Sequence, residues 1–223
     1  LSIHEKLIVI LDMGSKIQQC INTDEYDNIK SVVNDYLKEG IAHTLDETRN
    51  LSDSGQFEDI SLQQGIRQIL YPYEEMEVLN PEWEVILKDI IDSLFEQMSD
   101  EEYNILNEEF GTYMVSRAYE YRQLLEYFVF RYFAKSIYDY DFLGKCQMLV
   151  TNFFVIRQMD IIRWLDNHRE YSFKDRMDVV HIFSRQVEYS EDNIENLYED
   201  FIFDDIFKTD SLIAILWIDS ENI

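Results

Sequence analysis

Apolar residues recur every three or four positions along most of the chain, which is the spacing of one face of an α-helix. Near the start, Leu7, Leu11 and Ile17 follow this spacing, and Ser2 with Glu5 has the form of a capping box that begins a helix. Similar start signals and apolar faces return further along. They predict helices at about 3–22, 24–40, 57–71, 81–98, 99–110, 117–138, 142–166, 172–188 and 190–203.

Capping residues, glycine and proline set the predicted boundaries. Asp24 is placed to cap the second helix, and Gly40 is placed to end it. Pro72 is expected to stop the third helix, because proline has no N–H and its ring clashes with the preceding turn. Pro81 instead suits the first position of a helix. Residues 41–56 are polar and weakly periodic, so we predict a loop or mobile segment there.

Composition supports a helical fold. The 223 residues include 6 Gly and 2 Pro, whereas an average chain of this length carries roughly 27. So few turn residues do not suit a many-stranded β protein. We predict an all-α fold with 1–223 as a single multi-helix domain of about nine helices, built around two long aromatic-rich helices at 117–138 and 142–166. The segments 41–56 and 72–80 are its plausible seams, and the apolar stretch 212–218 fits either a helix or a strand.

The charge balance restricts the partners. The chain has 19 Lys and Arg against 45 Asp and Glu, a net charge of −26. A surface this acidic repels phosphate backbones and anionic lipids, so binding to nucleic acid or to a membrane is not expected. A cationic partner is permitted, although solubility alone also explains the acidity. The oligomeric state stays open.

Cysteine usage and the N-terminus predict the compartment. Cys20 and Cys146 stand alone, and we expect both to be reduced thiols. No signal peptide and no apolar run long enough for a membrane span is visible, so a cytoplasmic location is expected. The chain starts with Leu1 inside a helix start rather than with Met, and we therefore expect it to be part of a longer protein.

Short catalytic motifs are absent. The sequence has no Gly-x-Gly phosphate-binding pattern and no Gly-x-Ser-x-Gly elbow. Asp178 and His181 form one acid–imidazole pair on a helix face, whereas di-iron helical bundles use two Glu-x-x-His pairs. No metal site is expected.

Charges inside apolar helices are more informative. Residues 124–134 are apolar on every side except at Glu126 and Arg131, a pattern typical of a buried helix. Glu126 can pair with Arg122 one turn away, whereas Arg131 needs an acid on another helix.

In the second long helix, Arg157, Asp160 and Arg163 interrupt an apolar run. Unpaired buried charges cost several kcal/mol, so we predict a polar network between the two long helices. It is either a structural ion-pair cluster or a pocket for a polar ligand or a substrate amine.

A tyrosine-rich face is the second informative pattern. Tyr121, Leu125, Phe128 and Tyr132 share one helix face and are expected to be core residues. The alternative is a cage in which tyrosines and acids hold a lysine ammonium.

Several segments together resemble the C-terminal half of the flagellin lysine N-methylases. They are 126–133 (EYFVFRYF), 138–141 (YDYD), Ile156-Arg157 and 184–193 (SRQVEYSEDN), the last similar to that family's S-R-x-x-E-x-S-x-x-N tail. The resemblance covers most of the chain and is strongest over 118–200.

The resemblance implies transfer of methyl groups from S-adenosylmethionine to lysines of flagellin, or of another lysine-bearing protein, in a bacterium. That family also carries a cysteine-rich N-terminal segment thought to hold an iron–sulfur cluster. The present sequence lacks this segment, so we expect the chain alone to be inactive.

The matched positions, taken with the embedded charges, give the candidate residues. Tyr127, Arg131 and Tyr132 are the catalytic candidates, and the substrate- or cofactor-binding candidates are Glu126, Arg157, Asp160 and Arg185. The competing hypothesis is a non-catalytic acidic helical module that docks a basic protein and uses its buried charges structurally.

Overall fold

The structure, a computed structural model, describes residues 1–53 and 60–221. All its regular elements are helical: α1 (Ile3–Asn22), α2 (Tyr26–Asp35), α3 (Ile41–Asp53), α4 (Leu62–Glu74), α5 (Pro81–Ile90), α6 (Asp100–Met114), α7 (Ala118–Tyr132), α8 (Ser136–Asp139), α9 (Phe142–Asp166), α10 (Phe173–Phe183), α11 (Glu191–Phe203) and α12 (Thr209–Glu221). Short π or 3₁₀ turns continue several of them: Tyr36–Gly40, Ile91–Glu96, Val115–Arg117, Phe133–Lys135 and Ser184–Glu188. The predicted all-α fold is confirmed.

Most predicted helix starts are confirmed at the level of the cap. A side-chain oxygen accepts a hydrogen bond from a backbone N–H of the first turn at Ser2, Asn80, Ser99, Ser172 and Ser190. These bonds satisfy N–H groups that have no partner inside the helix. The cap predicted at Asp24 is wrong, because Asp24 lies in a left-handed turn with φ of 58° and α2 begins without a side-chain cap.

The loop predicted at 41–56 is also wrong over its described part. The chain passes from α2 through the turn Tyr36–Gly40 into α3 without a break, so Gly40 does not end the helix. Tertiary contacts compensate for the weak local pattern. Thr44 and Thr48 are buried, and they bond to Asp12 of α1 and Trp217 of α12. Residues 54–56 lie outside the described ranges.

Pro72 does not stop the third helix. It lies inside α4, close to the C-terminal end at Glu74, where its ring costs only one backbone hydrogen bond. The next residue, Tyr73, is fully buried and its hydroxyl donates to α9, which anchors this last turn. The helix begins at Leu62 after a Ser61 cap, and residues 57–59 of its predicted start lie outside the described ranges.

Helix α9 lies at the centre of the fold. Every residue from Gly144 to Ile162 is buried, and α9 contacts helices from both halves of the chain, α1, α4, α5, α7, α10, α11 and α12. At Gly14, α1 approaches α9 so closely that a Cβ atom there would lie 2.6 Å from the Cys146 sulfur. The predicted central position of 142–166 is thereby confirmed. No helix of the described ranges has both the length and the apolar character that crossing a bilayer requires.

The other long segment, 117–138, is less central than predicted. Its face formed by Tyr121, Leu125, Phe128 and Tyr132 is buried, as predicted. The opposite face is at the surface, and Phe130 is 89% exposed. The single domain over 1–223 stays a prediction, while the stretch 212–218 lies within helix α12.

Candidate functional site

Asp160 is at the centre of a buried polar cluster, the Asp160 cluster. Its carboxylate is fully buried on α9 and accepts hydrogen bonds from the hydroxyls of Tyr121, at 2.6 Å, and Tyr171. The Arg176 guanidinium of α10 lies 2.5 Å from it and also contacts Glu120 of α7, at 3.2 Å. The predicted polar link between the two long helices therefore exists, and α10 completes it.

The charges of this cluster depend on one another. Burial raises the pKa of Asp160, although Arg176 and the two tyrosine hydroxyls favour the ionised form. Burial alone would lower the pKa of Arg176, but Asp160, Tyr121 and Tyr171 together outweigh this and raise it. The guanidinium also lies over the Tyr121 ring, 4.3 Å from its centroid. Arg176 thus neutralises a carboxylate that has no contact with water.

Arg157 belongs to a second buried group, the Asp219 cluster. Its Nη2 donates to Asn107 Oδ1 at 2.8 Å, and its Nε lies 3.7 Å from Asp219 Oδ2. The same Asp219 oxygen lies 2.7 Å from His4 Nε2. Burial alone would raise the pKa of Asp219, but Arg157 and His4 more than offset this and lower it to about 2. The cluster joins α1, α6, α9 and α12.

Both clusters favour the structural alternative of the sequence analysis for their charged members. Arg157 is 3% exposed and Asp160 is fully buried, so neither reaches a surface where a ligand could contact it. Their ion-pair partners among the described residues lie on other helices: Asp219 of α12 for Arg157, and Arg176 of α10 for Asp160. The clusters fix how the helices pack around α9.

Two of the candidates on α7, Tyr127 and Tyr132, contact Glu188. We term these three residues the tyrosine–glutamate site. Tyr127 and Tyr132 both donate to the Oε1 atom of Glu188, at 3.0 and 2.7 Å. Tyr132 is buried, Tyr127 is 45% exposed and Glu188 is partly exposed. Among the described residues, none donates a hydrogen bond to the other Glu188 oxygen, Oε2. This oxygen can therefore accept a hydrogen bond from an incoming group.

The surroundings keep both tyrosine hydroxyls protonated. Burial and the Glu188 carboxylate raise the pKa of Tyr127 and of Tyr132, while Arg131 opposes the rise in both. The Arg131 guanidinium lies 5.9 Å from the centre of the Tyr132 ring. The site therefore combines a carboxylate, two hydroxyl donors and a nearby permanent cation.

The prediction that Arg131 is buried and ion-paired is wrong. Arg131 is exposed, and in the described part of the chain no carboxylate lies within 4.0 Å of it. The apolar residues around Arg131 predicted burial, but α7 lies at the surface, and Phe130 and Arg131 are on its exposed face. The helix pair Arg122–Glu126 is confirmed at 3.7 Å, and both side chains are exposed.

Substituting Arg131 by alanine is expected to change the free energy of unfolding by no more than about 0.5 kcal/mol, since the side chain is exposed and makes no ion pair with a described residue. Urea denaturation followed by circular dichroism measures this value. A loss of about 3 kcal/mol or more would mean that the guanidinium is buried against an acid after all.

Arg185, the last candidate, lines a surface groove between α5 and α10. The groove has a volume of about 600 Å³. Arg185 and Glu188 both lie on the turn Ser184–Glu188, so the groove and the tyrosine–glutamate site each contain one residue of this turn. Arg157 and Asp160 thus lie in two buried clusters, Tyr127 and Tyr132 contact Glu188, and the side chains of Glu126, Arg131 and Arg185 are exposed.

Sequence reasoning missed Glu188, Arg176 and Asp219. A signal existed for Glu188, because it is the glutamate of the S-R-x-x-E-x-S-x-x-N pattern. Two other members of that pattern are structural: Ser190 caps α11, and Asn193 is buried and bonds to the backbone of Glu77. Arg176 and Asp219 had no local signal, since neither interrupts a long apolar run.

Comparison with known proteins adds one match. A family model described as the FliB lysine N-methylase C-terminal domain matches residues 1–215. No curated protein and no solved structure gives a significant match. The matched range contains every residue of the tyrosine–glutamate site and of the α5–α10 groove.

Proposed function

The chain belongs to the family of FliB lysine N-methylase C-terminal domains, and on this premise we propose that it is the C-terminal helical part of an S-adenosylmethionine-dependent protein-lysine N-methyltransferase that acts on flagellin. The observation that carries the proposal is the tyrosine–glutamate site. Its carboxylate is partly exposed beside two tyrosines, and the Oε2 atom accepts no hydrogen bond from the described residues. A lysine amine is a donor that fits this position.

Glu188 is the proton acceptor in this proposal. A lysine side chain reaches the surface mainly as an ammonium ion and must lose a proton before its nitrogen can attack. The free Oε2 of Glu188 can accept that proton, while Tyr127 and Tyr132 hold Oε1 and fix the orientation of the carboxylate. The neighbouring Arg131 disfavours a second positive charge and so favours the neutral amine.

S-adenosylmethionine, when bound, supplies an electrophilic methyl group on a positively charged sulfur. Glu188 would hold the lysine nitrogen that bonds to the methyl carbon, and the sulfur would leave with the electron pair of the broken carbon–sulfur bond. The chain's contribution is positioning. Methyl transfer is fastest when fixed neighbouring side chains hold the amine in line with the methyl carbon. The acidic surface, with a net charge of −26, favours encounter with a lysine-bearing protein.

The residues present fit one of the two cofactors that the family resemblance implies. The α5–α10 groove offers guanidinium, carboxylate and apolar side chains, which suit the charged amino-acid end and the adenosyl body of S-adenosylmethionine. An iron–sulfur cluster does not fit here: Cys20 and Cys146 are both buried, and iron–sulfur clusters are usually held by four cysteines.

The test is methyl transfer by the intact methylase that carries this domain. It is incubated with flagellin and S-adenosylmethionine labelled in the methyl group, and the label is located by mass spectrometry. We expect label on the side-chain nitrogen of flagellin lysines. The proposal would be overturned by a folded, intact protein that transfers no label to lysine.

A further inference from the structure

The groove between α5 and α10 gathers charged side chains of both signs. Asp178, His181 and Arg185 lie one above another on α10 and the turn that follows it, and Glu82 faces them from α5. Arg163, near the end of α9, is the fifth charged or titratable side chain that lines the groove. Within the described ranges, none of these five side chains makes an ion pair within 4.0 Å or a side-chain hydrogen bond, and Arg163 interacts electrostatically with Asp175 over a longer distance.

This absence of partners sets two arginines apart. The other described arginines each contact a carboxylate or an aromatic ring: Arg49, Arg67, Arg117, Arg122, Arg131, Arg157, Arg169 and Arg176. Arg163 and Arg185 have neither kind of contact within the described residues, and both line this groove. In a chain with 45 acids and 19 bases, two guanidiniums that have no carboxylate of the described residues within 4.0 Å differ from the other arginines.

The groove also has an apolar wall. Ile182 is buried at its base, Ile86 is partly buried, and Val85 is 60% exposed at its rim. Its volume of about 600 Å³ lies within the range of roughly 300–1,000 Å³ that small-molecule sites occupy. A ligand that fits it has a carboxylate for the arginines, a cationic group for Glu82 and Asp178, and an apolar body.

We propose that the α5–α10 groove binds a small zwitterionic ligand in which an α-amino carboxylate is joined to a flat apolar body, with Arg163 and Arg185 holding the carboxylate and Glu82 and Asp178 holding the cationic groups. This inference rests on the proposed function, which names S-adenosylmethionine as a ligand of this class. It places the methyl donor in a groove that shares a helical turn with Glu188.

The geometry makes Arg185 the residue to test. It is exposed and unpaired, so its removal leaves no buried charge behind and the fold is preserved. Its bond to a carboxylate is charge-assisted, a class of hydrogen bond worth about 1.5–3 kcal/mol, which corresponds to roughly a 10- to 150-fold loss of affinity. Arg163 is partly buried, so thermal melting must accompany the Arg163→Ala variant.

Isothermal titration calorimetry of the 223-residue chain tests the proposal with two ligands. S-adenosylmethionine carries the amino-acid end, and 5′-methylthioadenosine lacks it. We expect Arg185→Ala and Arg163→Ala each to weaken binding of S-adenosylmethionine by at least about tenfold. Binding of 5′-methylthioadenosine should be unchanged in the same variants, and Arg122→Ala, at an exposed arginine on α7, should change neither.

The proposal fails if the wild-type chain does not bind S-adenosylmethionine, or if Arg185→Ala and Arg163→Ala bind it as tightly as wild type does. If the intact protein still methylates lysine, either result contradicts only the proposal that the groove binds the ligand, and the proposed function is unaffected. Arginine-dependent binding without any methylation by the intact protein supports the groove as a ligand site and contradicts the proposed function.

Discussion

Replacing Glu188 by glutamine is expected to slow lysine methylation by the intact protein by about 10²- to 10⁴-fold, the usual contribution of a general base. Glutamine keeps the shape of the side chain and can still accept bonds from Tyr127 and Tyr132, so the substitution removes only the ability to take a proton. The initial rate of label transfer from S-adenosylmethionine to flagellin measures the effect.

Two further variants separate proton transfer from general surface charge. Glu108→Gln removes an exposed glutamate of α6 and should leave the rate unchanged. Tyr127→Phe removes one of two hydrogen bonds to Glu188 and should reduce the rate less than Glu188→Gln does. Rates that fall equally in Glu108→Gln and Glu188→Gln would show that only the overall charge matters.

Replacing Arg176 by methionine is expected to lower the free energy of unfolding by about 3–5 kcal/mol, because it leaves an uncompensated carboxylate in the core. Asp160 is fully buried and Arg176 is its only ion-pair partner among the described residues. Methionine fills a similar volume, so a cavity does not explain the loss. Urea denaturation of the chain gives the value.

The matched control is Arg122→Met, which removes an arginine from the exposed pair with Glu126 and should cost no more than about 0.5 kcal/mol. Adding Asp160→Asn to Arg176→Met should recover part of the lost stability, since the remaining buried group is then neutral. A double variant that is less stable than Arg176→Met alone would contradict the ion-pair explanation.

Local signals were sufficient for most helices. The helix predicted at 142–166 has the bounds of α9, and the capping residues Ser2, Ser99 and Ser172 mark true starts. Caps act within one turn of backbone, so their effect can be predicted from neighbouring residues alone. The segment 41–53 could not be predicted in this way, because Thr44 and Thr48 are stabilised by residues that are distant in sequence.

Burial was harder to predict than helicity. Residues 124–134 are apolar on nearly every side, yet α7 lies at the surface, and only the packing of the other helices decides which of its faces is covered. The ion-pair partners of the embedded charges were hard to predict for the same reason. Arg157 pairs with Asp219 on the last helix, and Asp160 pairs with Arg176 on the next helix rather than with neighbours along α9.

The candidate site could be predicted in part. The family pattern directed attention to Tyr127 and Tyr132, which the structure brings together at the Glu188 carboxylate, and to Arg131, which lies near the Tyr132 ring. It did not distinguish Glu188 within the tail pattern from residues that hold the backbone, such as Asn193. That distinction depends on which side chain keeps an unpartnered oxygen at the surface, and only the three-dimensional arrangement reveals it.

The most direct test of the account is the carbon NMR signal of the Glu188 carboxyl group during titration with a lysine peptide from flagellin. The signal is assigned from its absence in Glu188→Gln, and a peptide with norleucine in place of lysine serves as the control. We predict that the lysine peptide shifts this resonance and that the norleucine peptide does not. A resonance that stays unchanged while the same peptide is methylated by the intact protein would contradict the assignment of Glu188 as the group that receives the substrate amine.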